Sequence, residues 1–156
     1  MGGATTRLDW PDEAPAIVVH GLAHAVAALE AAATADRPVV LLSAPAAGVY
    51  GGPGWWREMV AAATAAVPDA HCASLLDCAD DAGAAQAAIR AGVDGIVFTG
   101  RGDVAARLAD IAAQRGVRLL TERPQALLDL GTILFASPET LRRRCADSLA
   151  SRPAFC

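Results

Sequence analysis

Lysine is missing from this chain of 156 residues, in which all 13 basic side chains are arginines. Without a lysine amine, no Schiff base can form with a carbonyl substrate, pyridoxal phosphate has no anchor, and a phosphate-binding loop lacks its usual cation. Acidic residues outnumber the arginines by 17 to 13, which gives a net charge of -4. Because proteins that bind nucleic acid carry an excess of positive charge, we expect no nucleic-acid partner.

Long apolar runs and paired cysteines are also missing. Although 54% of the residues are hydrophobic, no uninterrupted run reaches the roughly 18 residues that suggest a membrane span. The first ten residues lack the basic start and apolar stretch of a secretion signal. The four cysteines, at 72, 78, 145 and 156, show no CxxC spacing, so reduced thiols are expected. These absences together predict a cytoplasmic protein with no membrane contact.

Short apolar runs alternate with alanine-rich stretches along the chain. The apolar runs predict strands at 16–20, 39–43, about 71–77, 95–99 and 117–121, with a further short candidate at 132–136. The alanine-rich stretches predict helices at 22–35, about 55–67, 81–91, 103–115 and 138–150. Gly116 is placed to end the fourth of these helices, and Ser137 followed by Pro138 is placed to begin the last.

This alternation predicts an α/β fold with a parallel sheet of about five strands and right-handed crossovers. Two architectures fit: a partial TIM barrel, since the full barrel needs about 250 residues, and a flavodoxin-like open sheet. A partial barrel has unpaired edges, so it must flatten, cover them or pair with another copy; we expect a homodimer or another homo-oligomer. We expect one domain, with a loose N-terminus over 1–14, βα units over 15–122, a strand and helix extension over 123–150, and a tail over 151–156.

The best candidate for a site follows the third predicted strand, where the chain reads Leu76-Asp77-Cys78. Ligands of α/β folds collect at the carboxyl ends of strands. Asp77 is therefore a candidate acid/base group, and Cys78 is a candidate metal ligand. The alternative is a structural role, in which Asp80 or Asp81 caps the next helix and Cys78 packs as a small apolar residue.

Two glycine-containing turns are candidates for binding an anionic ligand. In the turn 48–54, Gly51, Gly52 and Gly54 would let backbone N–H groups approach an anion, and Arg57 would stand nearby in the next helix. In the turn 99–103, Arg101 could meet a phosphate or carboxylate. Neither turn carries a known phosphate fingerprint, so ordinary connecting loops are the alternative.

His20 ends the first predicted strand and would point towards the same edge of the sheet as Asp77 and Glu122. A metal-binding set of His20, Cys78 and Glu122 is one hypothesis, with zinc as the candidate metal because thiolate, imidazole and carboxylate are its ligands. The alternative is a histidine without a metal.

From Ala16 to Glu122 the chain resembles the N-terminal half of the class II, zinc-dependent fructose- or tagatose-bisphosphate aldolases. The resemblance lies in the order and spacing of five segments: Leu29-Glu30-Ala31-Ala32; Arg37 to Ser43; Ala47 with Tyr50-Gly51-Gly52; Leu76-Asp77-Cys78; and Ala88 to Gly92. The family carries Leu-Asp-His at the place of Leu76-Asp77-Cys78.

The resemblance implies roles for some of these residues. In the family the Asp of this motif is a general acid/base and the following His is a zinc ligand, so Asp77 is matched and Cys78 replaces the ligand. Thr99 stands where the family has a metal-associated Asp. Of the paired acids on the family's fifth strand, Glu122 is matched and Leu120 is not. An enzyme of this kind would be a metal-assisted carbon–carbon lyase.

Two functions therefore stay open. The first is an aldolase-like domain that binds a small anionic or oxo metabolite at the carboxyl ends of its strands. The second is a protein without catalysis that associates with itself or with a partner through sheet edges and the pair Trp55 and Trp56, since large aromatic side chains anchor interfaces.

Overall fold

The computed structural model describes residues 14–151. The loose ends expected at 1–14 and 151–156 thus lie outside the described residues, apart from Ala14 and Ser151. The strands in this range are β1 Ala16–Val18, β2 Val39–Leu42, β3 Cys72–Asp77, β4 Gly95–Val97, β5 Arg118–Leu120 and β6 Ala126–Asp129. The α-helices are α1 Leu22–Ala35, α2 Ala47–Tyr50, α3 Pro53–Ala66, α4 Ala82–Ala91, α5 Gly102–Arg115 and α6 Pro138–Ala150, and a 3-10 helix spans Leu130–Ile133.

The strands form one sheet of six in the order β5-β4-β3-β2-β1-β6. Every neighbouring pair is parallel, as when Ile17 pairs with Leu41 and Leu76 pairs with Ile96. The predicted α/β class with a parallel sheet is confirmed. The sheet has one strand more than the approximate five, because residues 126–129 add β6 beside β1.

The helices lie on one face of the sheet. Along that face α6 packs on α1, α1 on α3, α3 on α4, and α4 on α5, so their order follows that of the strands. Apolar side chains of alternate strand positions meet the helices there: Ile17, Leu41, Leu76 and Ile96. The other positions form a second apolar cluster on what we call the inner face: Ala16, Val18, Val40, Leu42, Leu75 and Val97.

The sheet must curl around its inner face, because the connection between its two edge strands is short. In a flat sheet β5 and β6 would lie about 24 Å apart, whereas the chain from Leu120 to Ala126 can span at most about 21 Å. That chain, residues 121–125, also has to return from the carboxyl end of β5 to the amino end of β6. A curled, open sheet with helices outside corresponds to the partial barrel among the predicted architectures.

Local signals begin and end several helices as predicted. The Asp81 carboxylate caps α4 by accepting the Ala84 N–H at 2.8 Å. Gly116, with φ of 66°, closes α5 in the left-handed conformation that glycine adopts without strain. The Ser137 hydroxyl accepts the Thr140 N–H at 3.2 Å and begins α6.

Two segments differ from the prediction. The prediction of a strand at 132–136 is wrong. The last strand within residues 14–151 is β6, which occupies Ala126–Asp129 and pairs with β1. Asp129 ends this strand by accepting the Gly131 N–H at 2.8 Å, and the 3-10 helix follows. The turn expected at 48–54 contains most of α2 and the start of α3. No helix among residues 14–151 is long and apolar enough to span a membrane.

Candidate functional site at the carboxyl edge of the sheet

Asp77 lies at the carboxyl end of β3, where the sequence places it, and it is 4% exposed. Its position alternates with that of Leu76, so its side chain points to the inner face. One carboxylate oxygen, Oδ1, accepts the N–H groups of Ala79 at 2.8 Å and Ala46 at 3.2 Å. The other, Oδ2, accepts from Nη1 of Arg123 at 2.8 Å. The Asp77 carboxylate is thus engaged at both oxygens.

Arg123 belongs to the short connection 121–125, and its side chain extends to Asp77 on the inner face of the sheet. Besides Asp77, it binds the Ser43 carbonyl oxygen through Nη2 at 2.9 Å. The Ser43 hydroxyl in turn accepts the Asp77 N–H at 2.9 Å. This network joins the ends of β2 and β3 to the connection. A base or acid role for Asp77 requires the Arg123 guanidinium to move away from Oδ2.

Cys78 is fully buried on the helix face of the sheet, opposite to Asp77. Burial, and then the negative charges of Asp77 and Asp81, raise the pKa of its thiol to about 12. A methyl group added at Gly48 would lie 2.9 Å from Cys78 Sγ, which shows how tightly α2 covers the thiol. These contacts are those of a packed core residue.

The predicted metal set of His20, Cys78 and Glu122 is not brought together. No three His, Cys, Asp or Glu side chains between residues 14 and 151 form a group that could hold a metal ion. Cys78 points away from the inner face, and Glu122 is exposed on the connection after β5. His20 instead contacts Asp129. The arrangement of His20, Cys78 and Glu122 therefore does not fit the zinc site that we hypothesised from the sequence.

Two backbone N–H groups of the glycine turn form hydrogen bonds to a nearby backbone carbonyl oxygen. The N–H groups of Gly51 and Gly52 both point to the Ala47 carbonyl oxygen, at 2.8 and 3.3 Å. Gly52 has φ of 82°, a conformation that favours glycine, and it precedes the first turn of α3, which contains Gly54. In this conformation the Gly51 and Gly52 amides are not available to an anion.

The two candidate arginines point away from this turn. Arg57 donates to the Ala91 carbonyl oxygen at 3.2 Å, at the last residue of α4. Arg101 forms a two-point pair with the Asp103 carboxylate, at 3.1 and 2.9 Å, on the exposed surface. The structure therefore does not bring Arg57, Arg101 and the glycine turn to one place.

A cleft of about 420 Å³ opens beside the glycine turn, at the carboxyl ends of β1 and β2. The residues that line it are Val19, His20, Ala44, Ala47, Tyr50, Gly51 and Trp55. Tyr50 and Trp55 are largely exposed, at 72% and 43%, and the Tyr50 hydroxyl donates to the Pro45 carbonyl oxygen at 3.0 Å. The cleft thus combines apolar and aromatic walls with the imidazole of His20, a composition common in small-molecule sites.

His20 is held in this cleft by Asp129, whose Oδ1 lies 2.7 Å from Nε2. Asp129 comes from the end of β6, and β6 neighbours β1. Burial works to raise the pKa of the Asp129 carboxyl, but hydrogen bonds from His20 and the Gly131 N–H, with the charges of His20 and Arg123, outweigh it and lower the pKa. Asp129 is therefore an ionised hydrogen-bond acceptor at neutral pH.

Sequence reasoning missed Arg123 and Asp129. A signal for Asp129 was available, because an acidic residue before Gly131 is typical of a strand end or turn. Arg123 carries no comparable signal, since its role depends on the path of the connection across the inner face.

A larger cavity, of about 670 Å³, lies between α3 and the residues that precede β3 and β4. Several of its polar groups already have partners. Asp94 Oδ2 accepts the Ser74 N–H and O–H, and the Thr64 hydroxyl donates to the Val60 and Ala61 carbonyls. The cleft at His20 is the stronger candidate because it lies at the carboxyl edge of the sheet, where ligands of α/β folds collect.

Comparisons with known proteins support the fold. No protein-family model matches the chain, and no curated protein matches it. A crystal structure of a Coccidioides immitis protein, provisionally described as a fructose-1,6-biphosphate aldolase, superposes with a TM-score of 0.57 at 23% sequence identity. The match covers 68% of this chain and 39% of that protein. The chain thus has an aldolase-like α/β fold, and it spans well under half the length of this neighbour.

Proposed function

We propose that this chain is an aldolase-like domain that binds a small anionic or oxo metabolite at the carboxyl edge of its sheet. The observation that carries the proposal is the cleft beside His20. It lies where ligands of α/β folds collect, and its volume suits a small ligand. The aromatic rings of Tyr50 and Trp55 offer apolar contact, and the nitrogen of His20 that Asp129 leaves free can accept a hydrogen bond from a hydroxyl group of the ligand.

The chemistry of this site does not depend on a lysine, because the chain has none. It does not depend on the zinc set either, because Cys78 faces the helices. Proton transfer by Asp77 stays a prediction, since it requires the ion pair with Arg123 to open. Metabolite binding at the cleft needs no such rearrangement.

Ligand binding is tested by thermal unfolding and calorimetric titration of the full chain. The probes are fructose 1,6-bisphosphate, dihydroxyacetone phosphate and pyruvate, which cover anionic and oxo groups. A ligand that binds only the folded state stabilises it by about 2.7 kcal/mol at a concentration of 100 times Kd. We expect saturable stabilisation by at least one probe.

The site is located with a pair of matched variants. Trp55→Ala removes an aromatic wall of the cleft and should weaken binding by about tenfold or more. Ile111→Ala removes a similarly exposed apolar side chain from α5, remote from the cleft, and should leave Kd unchanged. Equal effects of both variants, or no binding of any probe, would contradict the proposal.

A second candidate function is self-association through the same edge. Apolar side chains that are more than 40% exposed surround the cleft in segments next to it: Leu22, Val49, Tyr50, Trp55, Leu134 and Phe135. The segments 44–56 and 130–136 contain no Asp, Glu or Arg. A second copy of this chain could therefore meet this surface without repulsion between like charges.

Sedimentation velocity tests self-association. Phe135 is 95% exposed, so Phe135→Asp should leave the fold intact and convert a dimer to a monomer. Ile111→Asp is the control on α5 and should leave the dimer intact. If the wild-type chain stays monomeric at 100 times the chain concentration used in the binding titration, self-association is excluded.

A further inference from the structure

We propose that His20 is the catalytic base of the cleft, and that Asp129 is the residue that positions it. The inference rests on the proposed binding function and goes beyond it, because it assigns chemistry to the bound ligand. The substrate class is a small oxo compound with a C–H bond next to its carbonyl group.

The tautomer of His20 follows from its partner. Asp129 Oδ1 lies 2.7 Å from His20 Nε2, and an ionised carboxylate can only accept a hydrogen bond. Nε2 therefore carries the proton in the neutral ring, and Nδ1 carries the lone pair. Among residues 14–151, none forms a hydrogen bond to Nδ1 of His20. A histidine held through one nitrogen by a carboxylate, with the other nitrogen free, has the arrangement of a general base.

The ring of His20 is fixed in place as well as in tautomer. Asp129 Oδ1 is itself held by the Gly131 N–H at 2.8 Å. Gly131 lies so close to the ring that a methyl group added there would be 2.6 Å from Nε2. A larger residue at 131 would push the imidazole out of its contact with Asp129. This close approach accounts for glycine at this position.

His24 differs from His20 although the two rings are neighbours, with centroids 5.8 Å apart. Nδ1 of His24 accepts the His20 backbone N–H at 3.1 Å. Nε2 must then be the donor to the Leu134 carbonyl oxygen, at 3.0 Å. Both nitrogens of His24 are used and the residue is 3% exposed. Of these two histidines, His20 alone has a nitrogen open to a ligand.

The proposed step is a reversible proton transfer. Nδ1 of His20 takes the proton from the carbon next to the carbonyl group. The electron pair of the broken C–H bond forms a carbon–carbon double bond, and the carbonyl electrons move to the oxygen, which gives an enolate. Return of a proton from Nδ1 restores the substrate. In D₂O the proton on Nδ1 exchanges with solvent, so the substrate acquires deuterium without net reaction.

The experiment measures this exchange by ¹H NMR, with pyruvate and dihydroxyacetone phosphate as probes and the full chain as catalyst. We expect exchange above the buffer rate, and His20→Gln should lower it by about 10²-fold or more. Asp129→Asn should also lower it, because an amide no longer enforces the Nε2–H tautomer. His71→Gln changes an exposed histidine that precedes β3 and should leave the rate unchanged.

A second measurement needs no variant. Chain labelled with ¹⁵N-histidine, at a pH where the ring is neutral, should show His20 protonated at Nε2 and unprotonated at Nδ1. The opposite tautomer would overturn the inference, as would a probe that binds without exchange or an exchange rate that His20→Gln leaves unchanged. Those results leave the proposed binding function standing. Failure of every probe to bind would overturn the binding function and this inference together.

Discussion

Nη1 of Arg123 lies 2.8 Å from Oδ2 of Asp77, and this ion pair joins the connection after β5 to the end of β3. Asp77 is buried and the Arg123 side chain is 26% exposed. The contact crosses 46 residues of sequence and holds the connection against the inner face of the curled sheet. Removing one member of such a pair leaves the other charge without its partner in a poorly solvated place.

Both Asp77→Asn and Arg123→Gln should lower the free energy of unfolding, each by about 3 kcal/mol. In Asp77→Asn the new amide N–H₂ can also face the guanidinium, donor against donor. Urea unfolding measures the change, and the double variant should cost clearly less than the sum of the two. Arg142→Gln is the control, because its pair with Glu30 is exposed at 3.4 Å and should contribute under about 1 kcal/mol. Additive losses would show that Asp77 and Arg123 act independently.

Gly48→Ala should destabilise the chain by about 1–3 kcal/mol, because a new Cβ would meet Cys78 Sγ at 2.9 Å and the Asp77 carbonyl oxygen at 3.0 Å. Gly102→Ala is the matched control, since an added Cβ there has no neighbour within 4 Å. At the start of α5 it should be neutral or stabilise by up to about 1 kcal/mol. Thermal or urea unfolding of both variants measures the difference. Equal stabilities would mean that α2 moves freely against β3.

The Cys78 thiol should resist alkylation in the folded chain. With a pKa of about 12, only about one thiol in ten thousand is a thiolate at pH 8. Cys72 and Cys145 have pKa values raised to about 11, mainly by burial. A Cys156→Ser variant treated with a thiol-reactive chromophore should therefore react slowly when native and release three equivalents in urea. Fast labelling of Cys78 in the native chain would contradict its burial and would make it a candidate metal ligand again.

Asp129 should make the stability of the fold depend on pH in the acidic range. Its pKa is lowered in the folded state, so its contribution is present above the unfolded value, about 3.9, and is lost as pH falls through the folded value. The effect is small because the carboxylate is 49% exposed. Plots of Tm against pH should show wild type approaching Asp129→Asn below about pH 4. A constant difference between the two at acidic pH would contradict a carboxylate that is ionised in the fold.

The carboxyl edge was partly predictable. Asp77 and His20 stand where the strand pattern predicted, because a residue that follows a parallel strand must lie at that edge. The same pattern argues against a site shared by Asp77 and Cys78. Neighbouring residues of a strand point to opposite faces of the sheet, so these two side chains cannot face the same site. The partners were not predictable, because Arg123 and Asp129 approach from the far end of the chain.

By itself, the sequence determined the alternation of strands and helices, their parallel arrangement and many helix ends, such as those at Asp81, Gly116 and Ser137. These features depend on residues that are neighbours in the chain, so local periodicity and capping are enough to predict them. Only the tertiary structure decided that β6 lies beside β1, which brings Asp129 to His20, and that residues 121–125 cross the inner face, which brings Arg123 to Asp77. Those contacts depend on the curl of the whole sheet and on pairing between distant segments, which no local pattern of residues encodes.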